Sequence, residues 1–265
     1  MSAARTTTRI IRYEVRDVLR SRSLIAYALF FLGLTDVLLR FGGGTRAALS
    51  LMNVVLLLIP LVSIVFGTIY LYNAREFTEL LLAQPVHRRQ LFAGQYLGLA
   101  LPLSAAFVAG LAGAVALHSG EPDAQLSTLL VVGVCGVVLT FIFTAFSALI
   151  AARIDDKVRG IGVSIGLWLA ATVLYDGLVM LGMMTLADYP LERPALVAMI
   201  ANPIDLARVL ILMRLDVSAL MGYTGAVFEK FFGSAGGTAL ASLALVLWTG
   251  VPLLLGARRF QRKDF

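Results

Sequence analysis

Few side chains in this sequence could do chemistry. Asp176 is the one acidic residue well inside a long apolar run. An ionisable group at membrane depth is by default a candidate for function. It lies about 15 residues beyond Ile161, roughly 22 Å along a helix that starts there. Ion handling is one reading. A structural hydrogen bond to a neighbouring helix, or a place at the outer interface, is the other. Met180, Met183 and Met184 follow at i, i+3, i+4 spacing. Thioethers suit Cu(I), and methionine is also a common filler of apolar gaps. His118, Glu121 and Asp123 are possible metal ligands without a metal-specific spacing, so a solvated loop stands beside that reading. The single cysteine, Cys135, lies in an apolar run and excludes an intramolecular disulfide.

Motifs for catalysis are nearly absent. There is no HExxH and no GxSxG. The three lysines, Lys157, Lys230 and Lys263, follow Asp, Glu and Arg. None follows glycine, so no Walker A loop is present to hold ATP phosphates. If ATP drives this protein, the nucleotide and its magnesium belong on another chain. An intramembrane enzyme would need paired polar residues at one depth, and only Asp176 presents itself.

The elements that position these residues are membrane spans. The 265 residues are 59% hydrophobic and 14% charged, far from the roughly half and quarter of a soluble domain. Mean hydropathy is +0.88. Six runs are long and apolar enough to cross a bilayer: 24–41, 49–72, 96–117, 126–151, 161–187 and 236–257. Asp36 and Arg40, near the outer end of the first, are four apart and can pair on one helix face. No small-residue cleavage site follows the first run, so a cleavable signal peptide is not expected. Residues 5–22 hold six arginines, with Ile11, Val15, Val18 and Leu19 between them at helical spacing. That pattern predicts a basic amphipathic helix on the membrane surface. A nucleic-acid arm is the competing reading, disfavoured because the segment runs straight into a span. Arg and Lys orient the chain. With the N-terminus inside, the inner segments hold 16 of them and the outer segments hold 6, namely Arg40, Arg46, Arg193, Arg208, Arg214 and Lys230. Both termini are therefore expected in the cytoplasm, and the two histidines, His87 and His118, on opposite sides. The fold expected is an all-α polytopic membrane protein, one domain over 1–265.

Two connections stand out. Residues 73–94, NAREFTELLLAQPVHRRQLFAG, carry Arg75, Glu76, Glu79, Arg88 and Arg89. Glu76 to Leu82 can form a short helix, which Pro85 stops by lacking an N–H. A second helix then starts near Arg89. Such a segment belongs in water, either as a plain loop or as a docking element for a soluble partner. The other connection, 188–235, is long and apolar. Asn202-Pro203-Ile204-Asp205 reads as a helix start, with Asn as N-cap, Pro at the first helical position and Asp at the positive end. Ser218 could cap another helix. One or two short helices on, or dipping into, the outer membrane face are expected. Arg208 and Arg214 weigh against further spans, at about 2.5–3.5 kcal/mol each at a helix centre.

Glu76, Glu79-Leu80-Leu81, Pro85-Val86, Arg88 and Leu91 resemble the first cytoplasmic loop of ABC-2-type permeases. The six spans, the basic N-terminal helix, the outer helical segment and the tail from Arg258 to Asp264 extend that resemblance over nearly the whole chain. Within the family, two stretches look like the NosY branch, permeases of nitrous-oxide reductase maturation. One is Asp156-Lys157 with 162–168 and Tyr175-Asp176-Gly177-Leu178. The other is Asn202 to Val209. The resemblance implies a bacterial inner-membrane permease that pairs with a second copy of itself. It implies cytoplasmic ATPases (NosF-like) docked on Glu76, Phe77, Glu79, Leu80, Leu81, Pro85 and Arg88. It also implies a periplasmic partner (NosD-like), concerned with copper delivery or sulfur supply, near Asn202, Pro203 and Asp205. An exporter subunit for another substrate, or a non-energised membrane anchor, is the alternative.

Overall fold

The computed structural model describes residues 21–82, 87–118, 126–185, 192–213 and 235–262. The expected surface helix at 5–22, Pro85, Glu121, Asp123, Arg214, Ser218 and Lys230 lie outside these, apart from Ser21 and Arg22. The described elements are α1 (Arg22–Gly42), α2 (Gly44–Asn73), α3 (Arg75–Leu82), α4 (Arg88–Leu117), α5 (Leu126–Arg153), α6 (Lys157–Leu169), α7 (Tyr175–Thr185), α8 (Glu192–Ile200), α9 (Pro203–Leu212) and α10 (Ala235–Gln261). A π turn, Ala170–Leu174, joins α6 to α7. Helices α1, α2, α4, α5, α6–α7 and α10 are each long and apolar enough to cross a membrane. The chain is an all-α polytopic membrane protein, and its six candidate spans coincide with the six expected. The third starts at Arg88 rather than Tyr96, two turns earlier, because nothing between them breaks a helix and Gln95 finds a partner there.

Helix α5 is the centre of the bundle, packed on α2, α4 and α10. Lipid offers no hydrophobic drive between helices, so close packing has to come from small residues. Side chains press on the places where a Cβ would stand at Gly67 (Ser147 and Leu99), at Gly136 (Phe107 and Ile59) and at Gly256 (Phe92). On α1 and α4, Phe31 and Phe107 meet edge to face at 4.9 Å, both fully buried. The hydroxyls of α5 satisfy themselves along their own helix. Thr140 donates to the Gly136 carbonyl, Thr144 to Thr140 and Ser147 to Thr144, at 2.7–2.8 Å. The helix Lys157–Thr185 is the opposite case. Its Val163, Leu169, Val173, Leu174, Leu178 and Leu181 are exposed, as suits a helix facing lipid or another chain.

The turn between α5 and α6 is short because Asp156 caps α6, its carboxylate accepting from Arg159 N–H at 2.7 Å. It brings Ile154 to Lys157 beside the C-terminal end of α2, where Tyr72 OH donates to the Ile154 carbonyl at 2.9 Å. This end, holding Arg75, Arg88, Arg89, Arg153, Lys157 and Arg258, is the basic end. At the other end Arg40 pairs with Asp36 at 3.0 Å, and His118 Nδ1 lies 3.8 Å from the same carboxylate.

The close crossing of α1 and α4 gives a stability prediction. A Cβ at Gly110 would stand 2.5 Å from the Ala28 carbonyl oxygen and 3.1 Å from Leu32 N, backbone atoms that cannot swing aside. Gly110→Ala is expected to destabilise the detergent-solubilised protein by about 1–3 kcal/mol. Gly162→Ala, with open space around it, is expected to leave the thermal midpoint unchanged. Thermal unfolding of the two variants side by side checks this.

Candidate functional site

The segment singled out at 73–94 forms a helix with two different faces. Chain direction changes at Ala74, whose N–H still bonds to the Tyr70 carbonyl at 2.9 Å while its own carbonyl accepts from Thr78 N–H. So α3 springs directly from α2. Its inner face carries Thr78, which is buried. The Thr78 hydroxyl donates to the Ala74 carbonyl at 2.8 Å and accepts from Gln95 Nε2 at 2.5 Å. Leu81 and Leu82 pack inward on Leu91, Phe92, Ala148, Ala152 and Phe260. The outer face presents Glu76, Phe77, Glu79 and Leu80 to solvent, Leu80 being 69% exposed. Of the adjacent leucines, Leu80 faces out and Leu81 faces the bundle.

Polar ties lace this end of the bundle together, one of them from α3 itself. Arg75 bonds Glu79 at 3.2 Å and reaches the Asp155 carbonyl at 3.3 Å. Lys157 Nζ donates to Asn73 Oδ1 at 2.8 Å. Arg88 donates to the Gln261 carbonyl and Arg89 to the Gln261 side chain, both at 3.1 Å. Sequence reasoning named Arg88 but missed Asn73, Gln95, Asp155 and Gln261 as anchors. The signal available for Gln95 was an amide set among apolar residues, Leu91 to Gly94 and Tyr96 to Leu101.

At the other end, α8 and α9 meet at a bend of 108°. Broken backbone at membrane depth is tolerated only where protein groups satisfy it. Tyr175 OH donates to the Ala198 carbonyl at 2.6 Å, and Trp248 Nε1 to the Ile200 carbonyl at 3.1 Å. Those are terminal carbonyls of α8 that lack partners in their own helix. Asn202 caps α9 as expected, Oδ1 accepting from Ile204 N–H at 3.1 Å. Its Nδ2 donates to Asp205 at 2.9 Å and to the Ala171 carbonyl, in the π turn, at 2.8 Å. Helix α9 lies along the middle of α5, where Cys135 Sγ approaches the Ala207 carbonyl at 4.0 Å.

Asp176 is paired. Arg208 Nη1 donates to Asp176 Oδ2 at 3.1 Å and to Asp205 Oδ1 at 2.6 Å. One guanidinium thus joins two carboxylates from two elements, which favours the structural reading of Asp176 as a tie to a neighbouring helix. The sequence offered no partner, because Arg208 read as a charge in an outer connection. Asn202, Pro203 and Asp205 are buried. The polar side-chain atoms of Asn202 and Asp205, expected at an outer partner contact, are turned to the fold's own backbone, to each other and to Arg208.

The methionines separate. Met180 and Met184 are exposed, whereas Met183 packs on Ala195, Leu206 and Val209. The histidines sit at opposite ends of one helix, His87 just before α4 and His118 just after it.

These features define a multi-pass helical membrane protein with one short two-faced helix set between its second and third spans. Residues 34–265 match the family described as ABC-2 family transporter protein, and the chain belongs to that family. It is 28% identical to the "Probable ABC transporter permease protein NosY" of Pseudomonas aeruginosa, over 96% of this chain and 97% of that one. It is 26% identical to the protein of the same description from Stutzerimonas stutzeri, with the same coverage. The chain is an ABC transporter permease subunit, and that class implies an ABC ATPase as its partner.

The ion cluster yields a prediction. Arg208→Leu leaves the Asp205 carboxylate, 9% exposed, without its counter-charge, and is expected to destabilise by ~2–4 kcal/mol. Adding Asp205→Asn in that background is expected to restore most of the loss. Thermal denaturation in detergent of the wild type, the single and the double variant measures both steps.

Proposed function

We propose that this chain is the membrane half of an ATP-driven complex, in which the exposed face of α3 receives an ABC ATPase on the cytoplasmic side. The observation that carries the reading is the division of α3 into two faces. Glu76, Phe77, Glu79 and Leu80 face water, while Thr78, Leu81 and Leu82 are fixed to the bundle. An exposed aromatic and leucine flanked by two carboxylates suit a partner groove with an apolar floor and a basic rim. Nucleotide-driven closure of two ATPases would push α3, and the push would pass through α4 and the α5–α6 turn into the spans. In this reading the basic end is cytoplasmic, as the Arg and Lys distribution favours. Residues 1–265 act as one membrane domain in the bacterial inner membrane, and a second copy covers the exposed helix Lys157–Thr185.

The work done is, in this proposal, part of copper-site assembly of nitrous-oxide reductase, with a NosF-like ATPase and a NosD-like periplasmic partner. What supports it is likeness over nearly full length to two proteins described as NosY permeases. Copper handling by Met180, Met183 and Met184 forms no part of this reading: Met180 and Met184 are exposed while Met183 packs against the apolar cluster of α8 and α9.

Purification of the tagged chain from cells expressing its neighbouring genes, with mass spectrometry of what accompanies it, tests the proposal. A stoichiometric P-loop ATPase is expected, with a periplasmic protein beside it. A chain that comes down alone would overturn the reading. Leu80→Asp combined with Glu79→Arg is expected to weaken ATPase binding by tenfold or more with an unchanged thermal midpoint, since both side chains face solvent. Titration of the purified ATPase against each chain measures it.

A further inference from the structure

We infer that Gln95 is a positioning residue for energy coupling, its buried hydrogen bond to Thr78 making α3 and the first turns of α4 one mechanical body. This rests on the reading of α3 as the ATPase-docking helix. Gln95 and Thr78 are 5% and 3% exposed, and the bond between them is 2.5 Å long. The polar ties of Arg75, to Glu79 and Asp155, are exposed, where water and salt weaken them. A shielded hydrogen bond keeps its strength.

Packing alone does not supply what this bond supplies. Leu81 and Leu82 hold α3 against Phe92 and Phe260. Apolar contact is non-directional, so it resists lifting of the helix but lets it roll or slide. A hydrogen bond is directional and fixes the rotation of α3 at Thr78. The face opposite Thr78 is the one offered to the partner, so a fixed rotation turns a push on Leu80 into a push on α4.

The next residue passes the load on. Tyr96 OH donates to the Phe141 carbonyl of α5 at 3.1 Å, and Leu99 is buried where α2, α4 and α5 meet at Gly67 and Ser147. Force entering α4 at Gln95 therefore reaches α5 before Pro102, where the helix ladder loses a hydrogen bond and can bend.

The substitution that tests this should fold. In Gln95→Leu the Thr78 hydroxyl still donates to the Ala74 carbonyl, so no buried hydroxyl loses its only partner, and leucine suits the apolar surroundings. The complex of permease and co-purified ATPase is reconstituted in lipid nanodiscs. Hydrogen exchange of residues 192–212 is followed with and without ATP and vanadate, and ATPase affinity is measured alongside. Gln95→Leu and Thr78→Val are expected to bind the ATPase as the wild type does, yet to lose about tenfold of the ATP-dependent change in exchange, the scale of one buried hydrogen bond. Thr78→Ser keeps the hydroxyl and is expected to respond as wild type. A full response in both Gln95→Leu and Thr78→Val overturns the inference alone, as does a loss matched by equally weakened ATPase binding. A wild-type chain that binds no ATPase overturns the docking reading and this inference with it.

Discussion

Lipid cannot hydrogen-bond, and the rest of this structure depends on that constraint. Backbone N–H and C=O groups at membrane depth have to find their partners inside the protein. Continuous helices answer it for most of the backbone. Two departures among the described residues are the bend between α8 and α9 and the π turn between α6 and α7, and each is answered by side chains from another element. Tyr175 and Trp248 take the last carbonyls of α8. Asn202 starts α9 and at the same time takes the Ala171 carbonyl of the π turn. The two breaks in helical geometry thus satisfy one another. An isolated break in either place would leave groups costing several kcal/mol each.

The same constraint explains the ion cluster. Arg208 on a short helix beside the centre of α5 would be costly alone. Between Asp205 and Asp176 it is matched on both sides, and Asn202 holds the second oxygen of Asp205. Cap, ion cluster and π turn form one connected unit linking the helix Lys157–Thr185 to the α8–α9 pair. The opposite end of that long helix is also fastened, by Lys157 to Asn73 and by the buried hydroxyl pair Ser164 and Thr68 at 2.8 Å. A helix with one face exposed is tied at both ends by polar groups, and between them Trp168 donates to the Leu57 carbonyl at 3.1 Å.

The basic end follows other rules, because water is present. There the ion pairs of Arg75 are exposed and individually weak, and their use is to orient. The buried ties, Thr78 to Gln95 and Leu81 and Leu82 to Phe92 and Phe260, hold the helix. What stays outside is an aromatic, a leucine and two carboxylates, one of which, Glu79, pairs with Arg75.

Much of this was legible in the sequence, for physical reasons. Spans are set by run length and hydropathy, since ~20 apolar residues are needed to cross, and the six expected runs are the six long helices. The helix at Arg75–Leu82, the Asn202 cap and the pair of Asp36 with Arg40 depend on neighbours one turn away, which a sequence displays directly. The partner of Asp176 is different. It lies 32 residues on, across a bend of 108°, and only the folding back of α9 brings it close. Burial of Asn202, Pro203 and Asp205, the separation of Leu80 from Leu81 and the scatter of the three methionines likewise depend on which helix packs on which. Local spacing determines what a segment becomes. Which of its faces is covered is decided by packing among elements distant in the chain.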